Sequence, residues 1–440
     1  MKELVVTIAG GGSTYTPGVL GALLNNLDRF PVKELRLYDI DKEKQLRMHA
    51  LIKRIVEDRS EKKIEVIETI DPEVAFTGVD FVFSQIRVGG LEMREQDEKI
   101  PLSMGIVGQE TCGPGGFSYG LRSVAGILPL VGYIQKYAPE AWILNYTNPE
   151  ALIAEAIRRV YPGIRMINIC DMTIAIEETI AQSFGYDVKD FVPDYYGLNH
   201  FGWWRGLYNK KLKRDIMPEV IEKIKNGLLE AADFNKDDPS WVHTYEMLRT
   251  IITDFPDYIP NTYLQYYLYP DIMVEELDPN YTRANEVMDG RFKKVYTLAE
   301  KCYNNEDIDT NELGFNVHGE YIVDLATSIL NDERRRFNVI VPNNGAIPNL
   351  RSDAVVEIPA YISSNGIEPI AQKPICDFHK GLLENQIAAE KLLLDAYFEH
   401  SYQKALQAFT LNRIVPSARV AKELLDKFIK ANEGFWPELN

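Results

Sequence analysis

Residues 4–17 read Leu4-Val5-Val6-Thr7-Ile8-Ala9-Gly10-Gly11-Gly12-Ser13-Thr14-Tyr15-Thr16-Pro17. A short β-rich apolar run ends in glycines and is followed by Thr16 as helix N-cap, with Pro17 in the first turn. This predicts a strand over Leu4–Ala9, a tight turn, and a helix over Pro17–Arg29. Glycines in such a turn let backbone N–H groups approach a pyrophosphate at the helix N-terminus. The pattern Gly-x-Gly-x-x-Gly is met at Gly10 and Gly12 and missed at its third place, where Tyr15 stands. Strand and helix are therefore not expected to close up in the usual way there. Asp39 ends the second β-rich run, where a carboxylate accepts hydrogen bonds from an adenine ribose and disfavours a 2′-phosphate. Gly10, Gly11, Gly12 and Asp39 thus suit NAD better than NADP. A glycine turn in an α/β domain that binds nothing is the alternative.

Working outward, β candidates at Leu4–Ala9, Glu34–Tyr38, Lys63–Ile67, Val79–Ile86, Ala141–Tyr146 and Arg165–Ile169 alternate with amphipathic stretches such as Lys42–Arg59 and Glu150–Val160, the latter opened by Asn148-Pro149. That alternation predicts βαβ units on a parallel sheet. After about Phe191 the texture turns to aromatic-rich segments and long helical patterns, with late β candidates at Phe337–Val341 and Ala354–Ile362 and helices between about Lys380 and Lys430. The fold class expected is α/β: a doubly wound, Rossmann-like N-terminal domain over residues 1–190 and an α+β substrate-binding and oligomerisation domain over 191–440.

The chain has 440 residues, 45% hydrophobic and 26% charged, with 48 basic and 65 acidic side chains and a net charge of −17. Without any Lys/Arg-rich run, this balance argues against nucleic acid and acidic membranes and makes single arginines worth following for an anionic substrate. Cys112, Cys170, Cys302 and Cys376 form no Cys-x-x-Cys pair, so neither a disulfide framework nor a structural zinc site is expected. The first apolar run is too brief for a signal segment and no later segment is expected to approach a membrane span. A cytoplasmic protein follows.

Cys170-Asp171 closes the sixth β candidate, at the edge where doubly wound sheets place ligands. A thiolate there and a histidine such as His200 would suit a divalent transition metal with open coordination positions. Taken singly, Cys170 reads more readily as a small buried hydrophobe than as a ligand, and His200 reads equally as a hydrogen-bonded core histidine. The loop Gln109–Gly116, the segment Asn145–Pro149 and Asn261-Thr262-Tyr263 are weaker ligand candidates, and Arg94 and Arg283 read by default as surface residues.

Taken together, Ala9–Thr14, Val107–Gly116, Asn148-Pro149, Cys170-Asp171-Met172, Gly197–Gly202, Asn261-Thr262-Tyr263, Thr282–Glu286 and Asn343-Asn344-Gly345 resemble glycoside hydrolase family 4, the NAD- and metal-dependent glycosidases that depart from two-carboxylate hydrolysis. The resemblance spans nearly the whole chain. Cys-Asp-Met is similar to the 6-phospho-α-glucosidase branch, whereas the 6-phospho-β-glucosidases usually carry Cys-Asn; Thr173 stands where that branch usually has proline. The resemblance implies NAD at Gly10, Gly11, Gly12, Ser13, Thr14 and Asp39, and Mn²⁺ or a similar ion on Cys170 and His200. It implies Tyr263 as the base at the sugar's C2, Asp171 as the acid on the leaving oxygen, and Arg94, Asn148 and Arg283 as substrate-binding residues. Glu110 would tune the catalytic tyrosine. The implied cycle is redox-neutral: oxidation at C3, elimination across C1–C2, addition of water, reduction. The implied partner is a 6-phosphorylated disaccharide or glucoside such as maltose 6′-phosphate, and the implied assembly is a homodimer or homotetramer. Competing readings are a 6-phospho-β-glucosidase, a lactate- or malate-type NAD dehydrogenase, and a non-enzymatic NAD- and sugar-phosphate-responsive protein.

Overall fold

The computed structural model describes residues 2–232, 239–313 and 318–440. Its strands are β1 (Leu4–Ala9), β2 (Val32–Tyr38), β3 (Glu65–Thr69), β4 (Phe81–Ser84), β5 (Trp142–Asn145), β6 (Met166–Asn168), β7 (Phe191–Leu198), β8 (Phe201–Asn209), β9 (Arg214–Asp215), β10 (Ile259–Pro260), β11 (Arg335–Pro342), β12 (Val355–Ser363) and β13 (Gly366–Pro369). All 13 join one sheet, ordered β10-β8-β7-β12-β11-β6-β5-β4-β1-β2-β3, with β13 on β12 and β9 on β8. From β3 to β6 every pairing is parallel. The order β3-β2-β1-β4-β5-β6 is that of doubly wound dinucleotide-binding domains, whose cleft opens where the order reverses beside β1.

Beyond β6 the pairing becomes antiparallel, beginning with Ile340 of β11 opposite Asn168. The second half thus extends the same sheet. The aromatic segments around Tyr195 and Trp204, not foreseen as strands, are the hairpin β7–β8. Tyr195 faces Trp204 and Tyr196 faces Trp203 across it, and such aromatic cross-strand pairs stabilise a ladder. A Cβ on Gly197 would lie 2.3 Å from the Gly202 Cα, so the paired glycines let the strands meet close to their turn.

The first helix runs Thr16–Asn25, shorter than expected, and its N-cap is Tyr15, which makes no side-chain capping bond. Thr16 is the first helical residue instead of the cap, and its hydroxyl donates to the Gly11 carbonyl at 2.9 Å. The close approach lost at Tyr15 is recovered earlier: a Cβ on Gly11 would fall 2.8 Å from the Leu37 Cβ. A second correction concerns length. The helix Gly113–Tyr137 is long and apolar enough by composition to cross a membrane, yet 67% of its most apolar window is buried inside the protein. Its small and apolar residues serve the core rather than lipid, because packed neighbours cover it.

Candidate functional site

β6 ends at Asn168, and the Ile169 N–H bonds the Asn145 carbonyl at 3.0 Å. Cys170 follows at the sheet's carboxyl edge, and Asp171 is the N-cap of the helix Met172–Phe184. His200 occupies the β7–β8 turn with φ +60, a left-handed conformation that costs a non-glycine residue energy and is held by the surrounding structure. The turn carries its imidazole to the thiol: Cys170 Sγ and His200 Nε2 lie 3.3 Å apart and buried. Tyr263 is delivered by Asn261, whose side chain accepts its N–H at 3.1 Å while the Asn261 N–H bonds the Gly202 carbonyl at 2.8 Å. The Tyr263 and His200 rings stack at 4.0 Å, nearly parallel.

Burial sets the charge state of this cluster. It pushes the Cys170 thiol well above its ordinary 9.0, with Glu357 and Asp171 adding to the effect. It lowers His200 to about 4, against the opposing pull of Asp171. It raises the Tyr263 phenol well above 10.0, helped by Tyr266 and Cys112. Thiol, imidazole and phenol are therefore all neutral here, and a divalent cation would favour thiolate and phenolate. A buried sulfur and an imidazole nitrogen facing each other form a donor pair that fits a transition metal. Asn148 Oδ1 is buried without a hydrogen-bond partner, which is consistent with a site built for a further group, and the Asn199 side chain lies beside Cys170 and Glu357. Among the described residues no group of three or more His, Cys, Asp or Glu could hold an ion together.

Arg94 lies in the helix Gly90–Leu102 and is 8% exposed. Its guanidinium bonds Glu98 at 2.8 Å and pairs with Glu110 at 3.1 Å, and Glu110 also pairs with Arg87. Burial opposes charge on Glu110, but Arg87 and Arg94 outweigh it and hold its carboxyl below the ordinary 4.5. Glu98 continues the ladder by accepting the Ala284 N–H at 2.8 Å, which fixes the helix Arg283–Val287. Arg283 itself is half exposed and pairs with Glu286 at 2.7 Å. Asn148 follows β5 and donates to the Tyr146 carbonyl at 3.3 Å.

The structure thus brings Cys170, His200 and Tyr263 into contact, with Asp171 adjoining in the chain, and joins Arg94 to Glu110. Arg283 approaches them through Glu98, which anchors its helix, and through Tyr266, which lies near both Arg94 and Arg283 and packs on Tyr263. Sequence reasoning missed Arg87, Asn199 and Glu357. Arg87 lies shortly after β4, at the cleft edge of the sheet, and that position was a readable signal. Glu357 sits inside an apolar strand, and its proximity to Cys170 exists only in the folded chain.

The dinucleotide turn lies after β1. The Gly10 and Gly11 N–H groups bond the Tyr38 carbonyl at 2.9 Å each, and the Gly12 N–H bonds Asp39 Oδ2 at 2.9 Å. A Cβ on Gly10 would fall 2.9 Å from the Gln85 carbonyl oxygen, and one on Gly12 2.9 Å from Asp39 Oδ2. A β-carbon is thus excluded at Gly10 and Gly12, as close backbone approach to a cofactor requires.

Residues 5–186 match the family model described as family 4 glycosyl hydrolase, and residues 195–415 the one described as family 4 glycosyl hydrolase C-terminal domain. A maltose-6′-phosphate glucosidase, MalH, from Clostridium acetobutylicum is 47% identical over 443 residues, covering 100% of each chain. A crystal structure of a 6-phospho-α-glucosidase from gut microorganisms in complex with NAD and Mn²⁺ superposes with a TM-score of 0.96 at 44% identity, covering 100% of both chains. A second, with NAD and glucose 6-phosphate, gives the same TM-score of 0.96, identity of 44% and coverage of 100% of both chains.

Proposed function

The chain belongs to family 4 of the glycosyl hydrolases, and on that premise we propose that it is a 6-phospho-α-glucosidase, hydrolysing maltose 6′-phosphate and related 6-phospho-α-glucosides. It uses NAD and a divalent metal such as Mn²⁺. The observation that carries the reading is the buried Cys170–His200 pair with Tyr263 stacked on the imidazole, at the open edge of a dinucleotide-binding sheet in a chain alike over its whole length to maltose-6′-phosphate glucosidases. A lactate- or malate-type dehydrogenase has no use for such a pair.

When bound, NAD would supply reversible hydride chemistry and the metal Lewis acidity toward the sugar's oxygens. The chain's own residues do the rest. Cys170 and His200 would hold the ion. Tyr263, as the phenolate that an adjoining cation would favour, would accept the C2 proton, and Asp171, as the carboxylic acid, would protonate the departing glycosidic oxygen. Arg94, Asn148 and Arg283 bind the phosphorylated sugar, a guanidinium fork suiting phosphate better than a point charge. Glu110 holds Arg94 in place and adds negative charge near Tyr263. Gly10, Gly11, Gly12, Ser13, Thr14 and Asp39 cradle the dinucleotide, Asp39 disfavouring a 2′-phosphate. Residues 1–190 form the cofactor half and 191–440 the substrate and assembly half. A cytoplasmic homodimer or homotetramer is supported by four unpaired cysteines and by the exposed, stacked Phe255 and Phe378.

The test is incubation with p-nitrophenyl α-glucoside 6-phosphate, NAD⁺, Mn²⁺ and thiol reductant in D₂O, beside the β-linked substrate at equal concentration. Nitrophenol release without accumulated NADH, deuterium at C2 and preference for the α anomer are expected. Accumulating NADH would identify a dehydrogenase, a β preference the other branch of the family, and binding without turnover a non-catalytic protein.

A further inference from the structure

The carbonyls of the Gly10–Gly12 turn are engaged by side chains. Thr16 donates to Gly11 at 2.9 Å and the Gln85 amide reaches Gly10 at 3.4 Å. The Gly12 carbonyl accepts the Tyr296 hydroxyl, from the opposite half of the chain. Tyr296 lies in the helix Lys293–Tyr303, which continues directly from a π-helical turn, Met288–Phe292. From that turn Arg291 sets its guanidinium over the Tyr15 ring, 4.0 Å from its centre, and Phe292 packs on the Tyr296 ring at 4.5 Å. A strap from the second half therefore grips the dinucleotide turn at its last glycine and at the residue that breaks the glycine pattern.

That departure acquires a purpose. A glycine at position 15 could seat no cation, whereas an aromatic face attracts a guanidinium. We infer that Arg291 is a further cofactor-binding residue, seated on Tyr15 and held by the Tyr296–Gly12 contact so that its guanidinium meets the pyrophosphate of NAD. The inference rests on NAD binding at this turn. A pyrophosphate carries negative charge into a chain of net charge −17, so a local cation is needed, and a planar fork of donors matches its oxygens. Tyr296 assists by occupying the Gly12 carbonyl, an acceptor that would otherwise oppose the anion. A π-turn, rare in helices and frequent at functional sites, re-aims the side chains it carries.

The sugar's own phosphate has the same chemistry, and the experiment separates the two. NAD⁺, ADP, adenosine and glucose 6-phosphate are titrated by calorimetry into the wild type, Arg291→Gln, Arg291→Lys and Tyr15→Leu. Arg291→Gln should weaken NAD⁺ and ADP about tenfold, the worth of one charge-assisted contact. It should also flatten their salt dependence and leave adenosine and glucose 6-phosphate unchanged. Arg291→Lys should recover part of the loss, and Tyr15→Leu should reproduce part of it. NAD⁺ affinity in Arg291→Gln within about twofold of wild type, or a loss confined to glucose 6-phosphate, overturns the inference. A wild type that binds neither NAD⁺ nor ADP overturns the cofactor reading beneath it.

Discussion

Glu357 offers a quantitative test of the energetics beneath the site. It lies on β12 opposite Gly197 of β7 and is 1% exposed. Burial carries its carboxyl from the ordinary 4.5 to about 8, with the nearby Asn199 and Tyr195 side chains offsetting only part of the effect. Between those values the folded protein keeps a proton that the unfolded chain releases, so stability falls as pH rises through the window and is level on either side. At 1.36 kcal/mol per pH unit the loss amounts to about 5 kcal/mol for a shift from 4.5 to about 8. Glu357→Gln keeps the shape and removes the titration. Thermal melts of metal-free wild type and variant should therefore diverge between pH 4.5 and 8. For 440 residues, unfolding entropies of about 2 cal/mol/K per residue convert that energy into a relative Tm change of about 5 °C. The variant gains on wild type as pH rises. Wild-type and variant Tm curves running parallel across the window would refute the burial argument.

Further outcomes follow from the same geometry. Cys170→Ser should abolish most turnover and its response to Mn²⁺; near-full metal-dependent activity in that variant would remove Cys170 from the ligands. Because the Cys170 thiol is pushed up by burial, ion binding should expel a proton, and Mn²⁺ affinity should rise roughly tenfold per pH unit near neutrality; calorimetry in buffers of differing ionisation heat would register a pH-independent affinity as failure. Tyr263→Phe should remove deuterium exchange at C2 while NAD⁺ binding stays near wild type; persistent exchange would point to another base. Arg122, 1% exposed, bonds Asp97 at 2.9 Å and Asn432 at 2.6 Å. Arg122→Met strands the Asp97 charge and should cost about 3 to 5 kcal/mol in urea unfolding, whereas a loss below about 1 kcal/mol would show that the pair contributes little.

The N-terminal half was legible because each of its signals is local. β1 coincides with the expected Leu4–Ala9, the other five runs overlap β2 to β6, and the helices Lys42–Arg59 and Glu150–Val160 fall where expected. Thr16 misled because a threonine before proline suits a cap, while in the fold its hydroxyl is claimed by Gly11. The hairpin β7–β8 escaped because aromatic runs interrupted by glycine carry no clean alternation, and its stability comes from partners across the ladder.

The chain's own pattern determined the parallel sheet, the glycine turn with Asp39, and the residue types from which a metal pair could be assembled, since periodicity, turn chemistry and strand-end position act within a few neighbours. Only tertiary structure decided that His200 meets Cys170 at 3.3 Å, that Glu110 joins Arg87 to Arg94, and that Tyr296 reaches Gly12 across 284 positions. These contacts join segments far apart in sequence. The energy that selects them arises from burying and pairing groups in a continuous sheet and its packed helices, which no local stretch of residues encodes.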